Sequence, residues 1–223
     1  MGKEWKMQNK AVVVFKNILK TYPIDFLLQI DSLILQSDSL YCLQGINGSG
    51  KSTLLTILLD LILPDSGEIF ILDNKHTSNT AKQHISSFLD KDRLLDFLTV
   101  KEYFYLIGSS YNKTKIEVEN NYAKINSFFN RSYFYDKKLI KDYSGGNRQL
   151  IGLMAAFIVN SPVIILDEPF NFLDTKTAEA FCDFMNSYRI ERHAVILFTS
   201  NSNNFFGLKD INFLNIKDGK IYE

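Results

Sequence analysis

The spacing of apolar positions changes along the chain, and each change predicts a different kind of element. Early runs, "AVVVF", "FLLQIDSLIL" and "LYCL", are β-branched or apolar, the second with rough alternation, and "KTYP" and "QSDS" divide them. Three strands are predicted there. A glycine-rich stretch then gives way to "STLLTILLDLIL", an apolar helical segment. "PDSGEIFI" reads as a turn entering a short strand, and "HISSFL" as another strand. From about Asp90 to Val159 the period lengthens. Val118, Tyr122, Ile125 and Phe129 recur at steps of three and four, as do Leu150, Leu153, Met154, Phe157 and Ile158. That spacing predicts two amphipathic helices. Strands return as "VIIL", "AVILF" and "INFLNI", and the Asp-Gly pair in "KDGK" predicts a closing hairpin.

Apolar strands alternating with helices predict an α/β sandwich around a mostly parallel sheet, with the helical middle as an inserted lobe. The economical division is one domain over 1–223, its core about 1–89 and 160–223 and its lobe about 90–159. Composition agrees with a globular chain, at 46% hydrophobic and 22% charged residues. Lys plus Arg and Asp plus Glu are 25 each, so no net charge draws the chain to nucleic acid or an anionic bilayer. No nucleic-acid role is expected. The start, "MGKEWKMQNK", has no apolar signal region, and Lys6 stands where a myristoylation site wants Ser or Thr. The longest apolar run, Leu54 to Leu63, carries Asp60 and is far too short to span a membrane. Cys42 and Cys182 lie in apolar segments without metal spacing, which predicts buried thiols in a reducing compartment, the cytoplasm.

Two motifs carry chemistry. "GINGSGKS", Gly45 to Ser52, satisfies G-x-x-x-x-G-K-[ST] between a strand and a helix. Gly45, Gly48 and Gly50 let the backbone curl, so that the N–H groups of the loop, Ile46, Asn47 and Ser49 included, turn toward an anion at the helix N-terminus. Lys51 is then the charge for the β- and γ-phosphates, Ser52 offers a hydroxyl to Mg²⁺, and Thr53 can donate to the α-phosphate. The predicted ligand is a nucleoside triphosphate with Mg²⁺. "VIILDEPF", Val163 to Phe170, ends an apolar strand in two carboxylates, delivered to the crevice where phosphates lie. Asp167 would bind Mg²⁺ through water, and Glu168 would polarise the attacking water.

Between these motifs "YSGGNRQ", Tyr143 to Gln149, resembles the signature of the ATP-binding cassette family in its drug-exporter-like branch. The resemblance runs over nearly the whole length and implies a P-loop NTPase fold: a RecA-like core with antiparallel N-terminal strands and a helical lobe. It also implies an ATPase. Tyr22 matches the aromatic residue on which adenine stacks, and "FNFLD" matches the D-loop at Asn171, Leu173 and Asp174. In the family two cassettes pack head to tail, so that Ser144, Gly145, Gly146 and Asn147 would cap the γ-phosphate held by a partner. Asn147 stands at the family's Gln position. The partner is a second cassette, identical or different.

Two positions depart from the family pattern. Asp90 stands where the lobe junction has a glutamine; its charged oxygen can bind the metal but repels the γ-phosphate. Asn201, after Thr199 and Ser200, stands where the switch has a histidine. An amide donates one neutral hydrogen bond but cannot become a cation. A slow ATPase that still closes on ATP is expected. The resemblance further implies a separate transmembrane permease and a peripheral place on the inner face of the cell membrane. Leu94, Leu95, Phe97, Tyr103 and Phe104 are expected near the groove for the permease's coupling helix. A degenerate cassette regulating a competent partner and a soluble non-transport ATPase are the alternatives.

Overall fold

The computed structural model describes residues 10–22, 26–201 and 205–222. In chain order the strands and helices are β1 (Ala11–Tyr22), β2 (Phe26–Gln36), β3 (Ser39–Gln44), α1 (Lys51–Leu58), β4 (Ser66–Ile71), β5 (Asn74–Lys75), α2 (Asn79–Lys82) and β6 (Ile85–Phe88). There follow α3 (Val100–Ser110), α4 (Lys115–Phe129), α5 (Gly145–Phe157), β7 (Val163–Leu166), α6 (Thr175–Arg192), β8 (Val195–Ser200), β9 (Ile211–Lys217) and β10 (Lys220–Tyr222). The strands make two sheets, β2-β1-β4-β5 and β10-β9-β3-β8-β7-β6. The first is antiparallel throughout. In the second every pairing is parallel except β9 with β10.

The parallel strands have two cores, one per face. Tyr41, Leu43, Val163, Ile165, Val195 and Leu197 join the α1 side chains and the antiparallel sheet. Leu40, Cys42, Ile164, Leu166, Ile196 and Phe198 face the helices and join Phe104, Tyr122, Phe157 and Phe181. This is the period-2 alternation of a strand buried on both sides, which is why these strands read as unbroken apolar runs. Such a sheet delivers β3, β7 and β8 side by side, with their C-terminal ends at one edge.

The predicted strands and hairpin are found, with a type I′-like turn at Asp218 (φ 48°) and Gly219 (φ 70°). A Cβ at Gly219 would stand 1.7 Å from the Leu27 carbonyl oxygen, so no other residue can hold that place. Two expectations need correction. The first helix ends at Leu58 rather than running to Leu63: Asp60 turns left-handed (φ 56°) and pairs with Lys82 at 2.6 Å. The helix α5 is not amphipathic, because Gln149 to Phe157 are all buried between the strands and the lobe. The helices α3 and α4 each open on a capping box, Thr99 with Glu102 and Thr114 with Glu117, which satisfies the N–H of the cap residue and that of the glutamate.

Candidate nucleotide site

The chain leaves β3 at Gln44, curls through residues 45–50 and enters α1 at Lys51. The curl depends on two glycines. Gly50 adopts φ 111° immediately before the helix, and a Cβ there would meet the Phe26 ring at 2.8 Å. At Gly45 a Cβ would come within 2.4 Å of the Ile216 carbonyl oxygen. Lys51, nearly buried, donates from Nζ to the carbonyl oxygens of Gly45 at 2.6 Å and Ile46 at 3.2 Å, closing the loop on itself. Ser49 Oγ is buried without a partner inside the same loop, against Gly45 rather than on the cavity lining.

Over this loop lies a cavity of about 560 Å³, within the range of small-molecule sites. Asn47, Gly48, Gly50, Lys51, Ser52 and Thr53 form its floor, and Asp167, Glu168 and Asn201 one wall. Tyr22 and Phe26 also line it, ring centroids 6.1 Å apart and planes at 52°. Phe26 is a residue that pattern reading missed: it pairs directly with Tyr22 at the end of the β1–β2 ladder, but its place opening an apolar run marks it only as strand.

The β7–β8 ladder ends at Leu166 and Phe198, and the acid pair begins just beyond. Asp167 accepts from Ser52 Oγ at 3.5 Å and from Thr199 Oγ1 at 2.5 Å. Glu168 takes a left-handed turn (φ 45°), and its Oε2 accepts from the Asn201 main-chain N–H at 3.4 Å. Its Oε1 is buried without a partner. Burial, and then the charge of Asp167, push the Glu168 carboxyl above the usual range, against the Asn201 N–H and Lys51. A carboxylate made more basic in this way suits the task of accepting a proton from water. Burial also pushes the Cys42 thiol up to about 12, so it stays protonated and takes no part as a nucleophile. Ser52 and Asp167 converge as two hard oxygen donors. Among the described residues no three His, Cys, Asp or Glu side chains form a group that could hold a metal ion.

Other expected residues are not brought into this cavity. Ser144 caps α5, accepting from the Asn147 N–H at 3.4 Å, and Asn147 Oδ1 accepts from the Tyr133 hydroxyl at 2.8 Å. A Cβ at Gly146 would stand 2.6 Å from the Phe172 carbonyl oxygen, which ties the signature turn to the D-loop. Asp174 caps α6 through the Thr177 N–H at 2.9 Å and hydroxyl at 2.8 Å, which hold its carboxyl below the usual range. Asp90 is exposed, and its Oδ1 caps the short turn Lys91–Arg93 by accepting from the Asp92 N–H at 2.9 Å. It lies outside the cavity lining. Ile46, 76% exposed, borders a shallower neighbouring hollow instead. The expected apolar patch divides: Leu94 and Phe104 are buried and Tyr103 half-buried, while Leu95 and Phe97 are exposed at 37% and 63%.

The family model for "ABC transporter" matches residues 28–171, which span the loop, the signature and the acid pair. This chain belongs to the ABC transporter family. It is an ATPase cassette of that family, and ATP is its nucleotide. The chain is 32% identical over 180 residues to the putative ABC transporter ATP-binding protein AlbC of Bacillus subtilis, covering 78% of this chain and 73% of that one. To the zinc import ATP-binding protein ZnuC of Rickettsia conorii it is 29% identical over 192 residues, covering 86% and 77%. Among solved structures, the ATP-binding subunit of an ABC transporter superposes with a TM-score of 0.84 at 22% identity, covering 95% of this chain and 88% of that one. A dimeric post-hydrolysis state of the cassette MJ0796, bound to ADP and Pi, superposes at 0.81 with 22% identity, covering 95% and 97%. The last two show a shared fold.

Proposed function

We propose that this chain is the ATP-hydrolysing subunit of an ABC transporter, closing on Mg-ATP as one of a head-to-tail pair and driving a separate transmembrane permease. The observation that carries the proposal is the convergence of Lys51, Ser52, Asp167 and Glu168 on one cavity while Ser144 to Asn147 stand outside it. A helix N-terminus with Ser and two glycines is a phosphate-binding device, and one that serves no phosphate in its own chain is placed to serve a second chain's. The antiparallel sheet would hold the base between Tyr22 and Phe26, and Lys51 would exchange its loop carbonyls for β- and γ-phosphate oxygens. Mg²⁺, when bound, supplies charge neutralisation at the transferred phosphoryl group, with Ser52 and Asp167 as the residues to hold it. Glu168 orients the attacking water and takes its proton. Asn201 reaches the same space from β8 with a neutral donor, which supports slow turnover.

Among the described residues no helix is long and apolar enough to cross a membrane. In this reading the permease places the chain on the inner face of the membrane, with the exposed Leu95 and Phe97 as the apolar contact. Asn201 also favours a second reading, a regulatory cassette paired with a more competent partner.

The test is purification of the tagged chain from detergent-solubilised membranes beside Leu95→Glu/Phe97→Glu. The proposal expects a polytopic membrane protein with the wild type and its loss from the double variant. Recovery of soluble partners alone, or equal recovery of the membrane protein by both forms, would overturn it.

A further inference from the structure

The parallel register of β7 and β8 runs Val163–Val195, Ile164–Ile196, Ile165–Leu197 and Leu166–Phe198, and there the ladder stops. The next pair in register is Asp167 with Thr199. Asp167 stands one residue past β7, and its main-chain N–H faces β6, donating to Phe88 O at 2.9 Å as that of Val163 does to His84 O at 3.1 Å. Its connection to β8 is made by a side chain. Thr199 Oγ1 lies 2.5 Å from Asp167 Oδ1 and accepts from the Glu168 main-chain N–H at 2.8 Å.

Thr199 is fully buried, and its hydroxyl has a single proton. The Glu168 N–H can only donate, so the hydroxyl must accept there and donate to the Asp167 carboxylate. One rotamer satisfies both, and each bond fixes a different part of the acid pair. The bond to Asp167 leaves its Oδ2 aimed at Ser52 Oγ, 3.5 Å away. The bond from the Glu168 N–H holds the peptide that enters that residue's left-handed turn (φ 45°), and so sets where its carboxyl points. Two residues further along the chain, just past the end of β8, the Asn201 N–H reaches Glu168 Oε2 at 3.4 Å. The end of β8 and the residue after it thus touch both acids, through Thr199 on one side and Asn201 on the other.

We propose that Thr199 is a positioning residue for ATP hydrolysis, its hydroxyl setting the rotamer of Asp167 toward the divalent cation and the backbone of Glu168 toward the attacking water. A displacement of β8 would then move both acids together. Residues that orient a metal's ligand from behind alter metal affinity about 10- to 100-fold when replaced.

The inference rests on the Mg-ATP reading above, and its test separates the two. Mn²⁺ as spin probe, with ATP, reports the metal by electron paramagnetic resonance; metal-free ATP binding reports the loop alone. The wild type must bind both, or the Mg-ATP reading itself fails. Thr199→Val keeps the shape and removes the hydroxyl, and should weaken Mn²⁺ binding in the ATP complex about 10-fold or more while leaving metal-free ATP affinity within about twofold. Thr199→Ser should restore most of the loss. Should Thr199→Val not fold, Thr199→Ala is read in the same way. Unchanged Mn²⁺ affinity in the hydroxyl-free variant, an equal loss of metal-free ATP binding, or a Ser variant no better than Val would overturn the assignment.

Discussion

Replacing Asn201 with histidine tests how the switch limits turnover. Asn201 is exposed one residue past β8, lines the cavity with Lys51 and Glu168, and donates its main-chain N–H to Glu168. That bond is made by the main chain, so a histidine in its place can make it too. Removing one preorganised donor from a reacting oxyanion typically costs about 3 kcal/mol, or 10²- to 10³-fold in rate. An amide keeps part of that interaction and lacks only the cationic form, so about half the energy is recoverable, near 1.4 kcal/mol and about 10-fold in kcat. Phosphate release by the assembled complex at saturating Mg-ATP is the assay, with Asn201→His and Asn201→Ala beside wild type. The order expected is His above wild type above Ala, with ATP affinity nearly constant. A histidine variant no faster than wild type, or an alanine variant equal to it, would refute the reasoning.

Two further outcomes follow from burial. Burial raises the Glu168 carboxyl's pKa on folding, so the penalty for its ionised form is absent below the unfolded value of about 4.3 and complete once pH exceeds the folded value. Glu168→Gln should therefore raise the melting temperature at pH 7.5 and lose that gain as pH falls toward 4.3; an equal gain at both ends would contradict the burial. Phe104 is fully buried, with ring contacts to Tyr122 at 6.0 Å and Phe134 at 6.3 Å, so Phe104→Ala should lower unfolding free energy by about 3–5 kcal/mol in urea titration. A loss below about 1 kcal/mol would return Phe104 to the surface patch.

What was legible in the sequence was what depends on local chemistry. The loop from Gly45 to Ser52 and the pair Asp167–Glu168 each need particular residues at fixed spacing, and the parallel strands need apolar side chains on both faces. The Asp218–Gly219 turn belongs to the same class, because few residues accept two positive φ angles in succession. What escaped was decided by neighbours distant in the chain. The end of α1 depends on Lys82 meeting Asp60, and the buried far side of α5 on strands and helices closing around it. Thr199 reads from sequence as one more polar residue of the switch; only the β7–β8 register puts its hydroxyl against Asp167. Asp90, by contrast, is expected at the site only through the family resemblance. Its carboxylate caps the turn that follows it and stands outside the cavity.

The central claim is that the loop around Lys51 holds the polyphosphate of ATP, and isothermal titration of the chain with Mg-ATP beside Lys51→Ala measures it directly. The account predicts one binding event per wild-type chain, weakened about 10-fold or more when the charged donor is removed. Absence of binding heat in the wild type, or identical titrations for the two proteins, would contradict it.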